Sequence, residues 1–177
     1  MLRSRRILAL INVVLLGASA LTSCSTMDST TAPTAAVAVP DANLKLPLLG
    51  GLLVCERQPY AITQKLIGPA GGTLTIGKHL LVIPAGALGR PTLITGEAPA
   101  DFVSSVRFQP EGLQFLRPAT LTLDYSSCPA ARLQILKRVA YTTDKLDILS
   151  FLLSRDNLLL MRVSADLQHF SRYAVAW

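Results

Sequence analysis

From Gln58 onward, the chain is a series of short runs rich in β-branched and large apolar residues, and turn residues separate these runs about every ten positions. Helices that alternate with strands would need longer periodic segments. Short runs at this spacing are typical of a sandwich of two β-sheets. The sequence therefore predicts an all-β fold, an antiparallel β-sandwich over residues 55–177. A chain of 177 residues has room for a single domain of ordinary size.

The clearest of these runs is ATLTLDY, residues 119–125, in which apolar and polar residues alternate. Successive side chains of a strand point to opposite faces of the sheet, so this run predicts one dry face and one wet face. The residues expected on the dry face are Leu121, Leu123 and Tyr125. Those expected on the wet face are Thr120, Thr122 and Asp124.

Turn residues between the runs predict where the strands end. Gly71 and Gly72 permit a turn with positive φ before the run TLTI. Arg155, Asp156 and Asn157 lie between two apolar runs and predict the turn of a hairpin.

The last strand is predicted from QHFSRYAVAW, residues 168–177, which would close the sandwich. Alternation assigns its side chains to two faces. The first set is Phe170, Arg172, Ala174 and Ala176. The second set is His169, Ser171, Tyr173, Val175 and Trp177.

The first 23 residues have the parts of an export signal: three arginines near the start, an apolar run from Ile7 to Leu16, and small residues before a cut. The apolar run is shorter than the roughly 20 residues that span a bilayer. The segment that follows, Leu21-Thr22-Ser23-Cys24, resembles the bacterial lipobox. That resemblance implies a lipid on Cys24, cleavage before it, and a chain anchored to the cell envelope. Ser25 after the cysteine implies the outer membrane.

Residues 24–54 are predicted to be a flexible tether. The part STMDSTTAPTAAVAVPDAN has almost no large apolar side chains and cannot bury enough surface to fold. Leu44 to Val54 is apolar but interrupted by proline and glycine. We expect an edge strand or a covering loop there, and the alternative is a patch that touches lipid or a partner near the anchor.

Charge argues against nucleic acid as a partner. Removal of residues 1–23 takes away three arginines and no acidic residue, which lowers the net charge from +6 to +3. The remaining basic residues are scattered along the chain and form no basic stripe.

Cysteine usage indicates one disulfide. With Cys24 assigned to the lipid, Cys55 and Cys128 remain in an oxidising compartment and form a plausible pair. The alternative is two buried free thiols.

Two segments carry a resemblance to a known family. They are GPAGGTLTIGKHLLVIPAGAL, residues 68–88, and VRFQPEGLQFLRPATLTLDY, residues 106–125. Together they resemble the ZU-five domain, named for zonula occludens proteins and netrin receptors and also found in ankyrins. The shared features are a double glycine before a strand, a proline, small, glycine, alanine turn after it, and a proline, glutamate, glycine, leucine motif before a proline-led strand. The resemblance covers residues 64–177 and implies a β-sandwich with a protein-interaction or structural role. It does not imply a ligand.

The triplet His169-Phe170-Ser171 raises a second possibility. Some ZU-five relatives in death-domain proteins, and the autoproteolytic domain of a nucleoporin, cleave themselves between the phenylalanine and the serine of such a triplet. The resemblance implies that Ser171 attacks the Phe170 carbonyl while His169 accepts or relays the proton. The alternative is that the triplet is part of an ordinary last strand.

Other chemistry lacks the required residues. Two histidines, His79 and His169, without closely spaced cysteines predict no metal site, and no nucleotide-binding motif predicts a cofactor. His79 is expected to be an exposed strand residue. Asp144 and Asp147 are the closest acidic pair but lie in a predicted turn, where we expect them to be solvated.

Two functions follow as expectations. The first is a lipoprotein held to the membrane through Cys24, whose sandwich has a structural role or binds a protein or glycan partner. The alternative is an autoproteolytic domain that cuts itself between Phe170 and Ser171.

Overall fold

The computed structural model describes residues 51–177, which form two antiparallel β-sheets. The strands are β1 (Ala61–Ile67), β2 (Gly72–Ile76), β3 (His79–Ile83), β4 (Thr92–Ala98), β5 (Ser105–Gln109), β6 (Gln114–Asp124), β7 (Arg138–Thr142), β8 (Ile148–Phe151), β9 (Ser154–Asn157), β10 (Arg162–His169) and β11 (Arg172–Ala176). One short 3-10 helix, Pro129–Arg132, lies between β6 and β7. Within residues 51–177 the structure contains no apolar helix of the length that a membrane crossing requires.

The strands are distributed over a six-stranded sheet with the order β1-β4-β5-β11-β7-β8 and a five-stranded sheet with the order β2-β3-β6-β10-β9. Six of the ten connections between consecutive strands cross from one sheet to the other. The apolar faces of the two sheets meet in one main core. This arrangement confirms the predicted all-β antiparallel sandwich.

The alternation of ATLTLDY is confirmed on its dry face, since Leu121, Leu123 and Tyr125 are fully buried. The predicted glycine turn is also confirmed, because Gly71 has a φ of 75°. A Cβ atom at Gly71 would clash with the Ile83 carbonyl oxygen, which belongs to the backbone and cannot move aside easily. Any other residue there would meet both a strained backbone and a clash.

A second, smaller apolar cluster covers β7 and β11 on the outer face of the six-stranded sheet. Its buried members are Leu52, Val103, Ala140, Ala174 and Ala176. Strand β11 is therefore buried on both faces. Leu52 and Val54 form single β-bridges to Ala176 and Val103, so residues 51–54 act as a covering segment, as expected for their part of the apolar run.

The packed part of the chain thus begins upstream of the predicted boundary at Cys55, since Leu53 is completely buried in the main core. Cys55 and Cys128 form the predicted disulfide, which joins residues 73 positions apart in the sequence. The alternative of two free thiols is excluded. The predicted signal peptide (residues 1–23), the lipidated Cys24 and the tether up to residue 50 lie outside the described residues.

The predicted hairpin turn at residues 155–157 is wrong. These residues belong to β9, and the turn that leads into β10 lies at residues 158–161. Asp156 is held there because it accepts hydrogen bonds from the Tyr125 hydroxyl and the Lys137 backbone N–H. Strand β8 pairs in the other sheet, so the two apolar runs do not form a hairpin with each other.

The prediction of one continuous last strand is also wrong. Strand β10 ends at His169 in one sheet and β11 begins at Arg172 in the other, so His169-Phe170-Ser171 forms a corner between the sheets. The corner interrupts the alternation. Phe170 consequently packs in the main core with Tyr173 and Val175, and not on the face of Ala174.

Candidate functional site

The corner formed by His169, Phe170 and Ser171 is hydrogen-bonded to the loop of residues 110–113, which carries the proline, glutamate, glycine, leucine motif. The Phe170 N–H donates to the Leu113 carbonyl over 2.9 Å, and the Gly112 N–H donates to the Phe170 carbonyl over 2.9 Å. The Phe108 N–H donates to the Ser171 carbonyl over 3.1 Å. Two motifs that are about 60 residues apart in the sequence therefore meet at Phe170, whose N–H and carbonyl both pair with the 110–113 loop.

The Phe170 ring anchors the corner in the core. It stacks on Phe108 with ring centroids 4.8 Å apart and meets the edge of Phe115 at 4.9 Å. Aromatic pairs at these separations contribute about 0.5 to 1.5 kcal/mol each beyond their burial. The packing of the Phe170 ring and the backbone hydrogen bonds together fix the position of the Phe170 carbonyl.

His169 lies beside that carbonyl. Its Nδ1 atom is 3.4 Å from the Phe170 oxygen and 3.5 Å from the Tyr173 hydroxyl. The Tyr173 hydroxyl donates to the His169 carbonyl over 2.7 Å. Burial, with a smaller contribution from Tyr141, raises the pKa of Tyr173, so its hydroxyl stays protonated and remains a donor.

Ser171, the third residue of the triplet, is mostly buried, with an exposed fraction of 8%. No hydrogen bond within residues 51–177 joins its hydroxyl to His169. Residues 169–171 also lack a positive φ and a cis peptide bond. The structure thus brings the imidazole and a backbone donor to the Phe170 carbonyl, but it does not place His169 in hydrogen-bond contact with the Ser171 hydroxyl.

Arg172 fixes the start of β11 directly after the corner. Its side chain has an exposed fraction of 9%, and it donates to the Asp144 carbonyl, to Asp101 and to the Ser105 hydroxyl. The Asp101 carboxylate, 2.5 Å from the guanidinium, balances the buried charge. A buried guanidinium needs such partners because an unpaired charge in the interior is costly.

A second polar cluster lies where β3 leaves the turn at residues 77–78. His79 was expected to be exposed, and that prediction is wrong, since its exposed fraction is 5%. The Asp124 backbone N–H donates to its Nδ1 over 3.2 Å. Burial, opposed by Asp124 and reinforced by Lys78, lowers the pKa of His79 to about 4. The imidazole is therefore neutral at pH 7 and carries its proton on Nε2.

Asp124 also differs from the expected wet-face residue, because it is nearly buried. Burial raises its pKa, but hydrogen bonds from Ser126 and Arg162 outweigh that effect, and the pKa lies below its usual value. The Arg162 Nε donates to Asp124 Oδ2 over 3.2 Å. The burial of His79 could have been predicted, since it alternates in phase with the core residues Leu81 and Ile83 along β3. Nothing in the sequence showed that Arg162 on β10 lies opposite Asp124 on the neighbouring strand β6.

Among the residues that the structure describes, no group of three or more histidine, cysteine, aspartate or glutamate side chains could hold a metal ion. Asp144 and Asp147 lie in the exposed turn between β7 and β8, where Asp147 accepts a hydrogen bond from the Thr143 hydroxyl.

In comparisons with known proteins, no family model matches the chain and no curated protein matches it. The resemblance to the ZU-five domain therefore stays a prediction that depends on the motifs quoted above.

Proposed function

We propose that the chain is a cell-envelope lipoprotein that is anchored through Cys24 and presents the sandwich as a binding or structural module. The observation that carries this proposal is the lipobox-like Leu21-Thr22-Ser23-Cys24 directly after a short apolar run. Acyl chains contribute about 0.8 kcal/mol for each methylene that enters the bilayer, so several chains on one cysteine hold a protein at a membrane. Residues 25–50 act as the tether and the sandwich begins at residues 51–54.

Two structural observations support this assignment. The Cys55–Cys128 disulfide fits an oxidising compartment outside the cytoplasm. The covering segment packs on the sandwich immediately after the tether, so the anchor leads directly to a folded unit. The ZU-five resemblance of residues 64–177 adds the expectation of an interaction or structural role, and Ser25 favours the outer membrane.

The test uses the full chain in a bacterial host with a lipoprotein pathway. We expect the wild type in the outer-membrane fraction, with a mass that shows loss of residues 1–23 and addition of lipid. A globomycin-type block should accumulate the precursor. Cys24→Ala should lose the lipid and leave the membrane, whereas the neighbouring Ser23→Ala should retain both.

A mature protein without lipid, or membrane binding that survives Cys24→Ala, would contradict the anchor. Ser25→Asp separates the anchor from its destination, since it should change the membrane in which the protein is found without removing the lipid. An unchanged distribution of Ser25→Asp would contradict the outer-membrane assignment alone.

A second candidate is self-cleavage of the Phe170–Ser171 bond, favoured by the placement of the Gly112 N–H and His169 Nδ1 around the Phe170 carbonyl oxygen. Ser171 Oγ would attack the carbonyl carbon, and the Gly112 N–H would stabilise the oxyanion. The C–N bond would then break, with His169 carrying the hydroxyl proton to the Ser171 nitrogen. Water would hydrolyse the resulting ester to a Phe170 carboxylate.

Intact mass under denaturing conditions tests this reaction on the full chain. Self-cleavage would remove the seven residues SRYAVAW, whose release needs denaturant because β11 is paired with β5 and β7. The loss should disappear in Ser171→Ala and in His169→Ala, and Ser171→Cys should retain it. Full-length wild-type protein after prolonged incubation would exclude this candidate, and the triplet would then act as a packing corner only.

A further inference from the structure

The outer face of the five-stranded sheet carries a row of side chains that runs across all five strands. The cross-strand register places Thr75 beside Leu80, Leu80 beside Thr122, Thr122 beside Ser164 and Ser164 beside Arg155. Neighbouring strands lie about 4.8 Å apart, so the row is about 19 Å long. No single strand reveals this row, since each contributes one residue to it.

An open groove follows the row. It consists of two adjoining parts with volumes of about 520 and 500 Å³, which share Leu80, Thr122 and Arg162. The first part ends at the β2–β3 turn with Lys78 and His79, and the second ends at β9 with Arg155. We call this feature the transverse groove.

The groove offers hydrogen-bond donors that the described residues leave unused. Arg162 uses only Nε on Asp124, so its two terminal nitrogens have no acceptor within residues 51–177. The Lys78 side chain likewise has no acceptor among these residues. His79 is more than nine-tenths buried and lines the groove, and its Nδ1 accepts from the Asp124 N–H, so its Nε2–H is the donor that remains.

The charge and the lining of the transverse groove indicate the chemical class of its ligand. Lys78 and Arg162 both line the first part of the groove, and the one acidic residue that lines this part, Asp124, already accepts hydrogen bonds from Arg162 and Ser126. One anionic group would therefore be attracted to the first part.

The second part is also lined by the hydroxyls of Thr122 and Ser164, the amide of Asn157 and two charged residues, Arg155 and Asp156. Both charged residues already have partners, since Arg155 pairs with Asp166 and Asp156 accepts from Tyr125 and Lys137. No aromatic residue lines either part. The core of a protein interface is instead enriched in aromatic side chains.

We propose that the transverse groove binds an acidic glycan, with a sugar carboxylate against Lys78, Arg162 and the His79 Nε2–H and with sugar hydroxyls along Thr122 and Ser164. This inference rests on the proposed function, because it names the partner of the module that the anchor would display. A carboxylate accepts the paired donors of a guanidinium well, and its charge strengthens each hydrogen bond.

The experiment titrates the full lipidated chain in neutral detergent micelles by calorimetry. The probe is a trisaccharide of galacturonic acid, and the matched probe is the neutral galactose trisaccharide. We expect the acidic probe to bind and the neutral one to bind at least about tenfold more weakly. Binding should weaken as salt rises, because the groove is open to solvent.

Two pairs of variants test the location. Lys78→Gln should weaken binding by about tenfold, and Lys145→Gln, an exposed lysine in the turn of the other sheet, should not. Thr122→Val should weaken binding several-fold, and Thr73→Val, on the same face but outside the groove, should not.

Absence of binding by the acidic trisaccharide would overturn the proposal. Equal binding of the neutral probe, or equal losses in Lys78→Gln and Lys145→Gln, would also overturn it. Inorganic phosphate that binds as tightly as the trisaccharide would show an unspecific anion site and would equally overturn it. Membrane fractionation tests the anchor separately, so a failed titration with a retained anchor contradicts the glycan and leaves the lipoprotein proposal intact.

Discussion

The two sheets of the sandwich differ in how far their outer faces are covered. The outer face of the six-stranded sheet carries a small apolar cluster in which Leu52 and Val103 cover the alanines of β7 and β11. The outer face of the five-stranded sheet is open and carries threonine, serine and charged side chains along the transverse groove. Covering one face adds stability to the strands beneath it, whereas an open face leaves room for a ligand.

The covering is tied to the end of the chain. The Leu53 N–H donates to the Val175 carbonyl over 2.8 Å, and the Trp177 N–H donates to the Gly51 carbonyl over 3.1 Å. The disulfide from Cys55 to Cys128 holds the same segment to the end of the main core beside the 3-10 helix. The first described residues and the last strand thus stabilise each other.

Among the changes that test this comparison, removal of the disulfide should lower the free energy of unfolding most. The double variant Cys55→Ala with Cys128→Ala should lower the free energy of unfolding by about 4 kcal/mol, because a cross-link over 73 positions restricts the unfolded chain strongly. Urea unfolding of both proteins under oxidising conditions measures it. A loss below about 1 kcal/mol would mean that packing alone holds the covering segment.

A matched pair of leucines compares the two faces directly. Leu52→Ala, on the covered face, should cost about 3 kcal/mol because it opens a cavity in the small cluster. Leu80→Ala, on the open face, should cost less than about 1 kcal/mol because that side chain is already 37% exposed. Chemical unfolding of the two variants provides the measurement. Equal costs would contradict the difference between the faces.

The same difference explains which parts of the fold were predictable. An open outer face leaves a clean alternation, and ATLTLDY in β6 was read correctly on its dry side. Strand β11 is buried on both faces, so its sequence RYAVA lacks a polar side, and the corner before it could not be distinguished from a continued strand. Phe170 was assigned to the wrong face for this reason.

The candidate sites show the same limit. The triplet at 169–171 was found from a motif, and the cysteine pair followed from assigning Cys24 to the lipid. The contact of the triplet with Gly112 and the meeting of Asp124 with Arg162 depend on pairing between distant segments. Pairing between distant strands brings such groups together, and the sequence of one segment does not show which distant segment pairs with it.

The pH dependence of stability tests the buried end of the groove. The pKa of His79 is about 4 in the folded protein and 6.5 in an unfolded chain, so unfolding takes up a proton between these values. Stability is therefore fully present above pH 6.5 and falls by about 2 to 3 kcal/mol as the pH drops to 4. Urea unfolding from pH 7 to pH 4 should show this loss in the wild type.

His79→Gln is the control for that titration, since its amide oxygen can accept the Asp124 N–H without titrating. The lowered pKa of Asp124 affects stability only at pH values below its ordinary pKa of 3.8, so Asp124 contributes little to the change between pH 7 and pH 4. Parallel curves for the wild type and His79→Gln would show that the pKa of His79 in the folded state is close to its ordinary value, which would contradict the prediction.

The ion pairs of the two sheets provide the smallest comparison. Asp101→Asn removes the partner of Arg172, whose side chain is 9% exposed, and should cost about 2 kcal/mol because the guanidinium stays buried with a weaker acceptor. Asp166→Asn removes the partner of Arg155 on the open face, where the side chains are 62% and 47% exposed. That loss should be below about 0.5 kcal/mol, since water solvates both groups. Unfolding at low and high salt distinguishes the two pairs, because screening should diminish only the surface effect. Equal salt dependence would mean that the Arg172 site is open to solvent, and the covered face would then protect β11 less than its packing indicates.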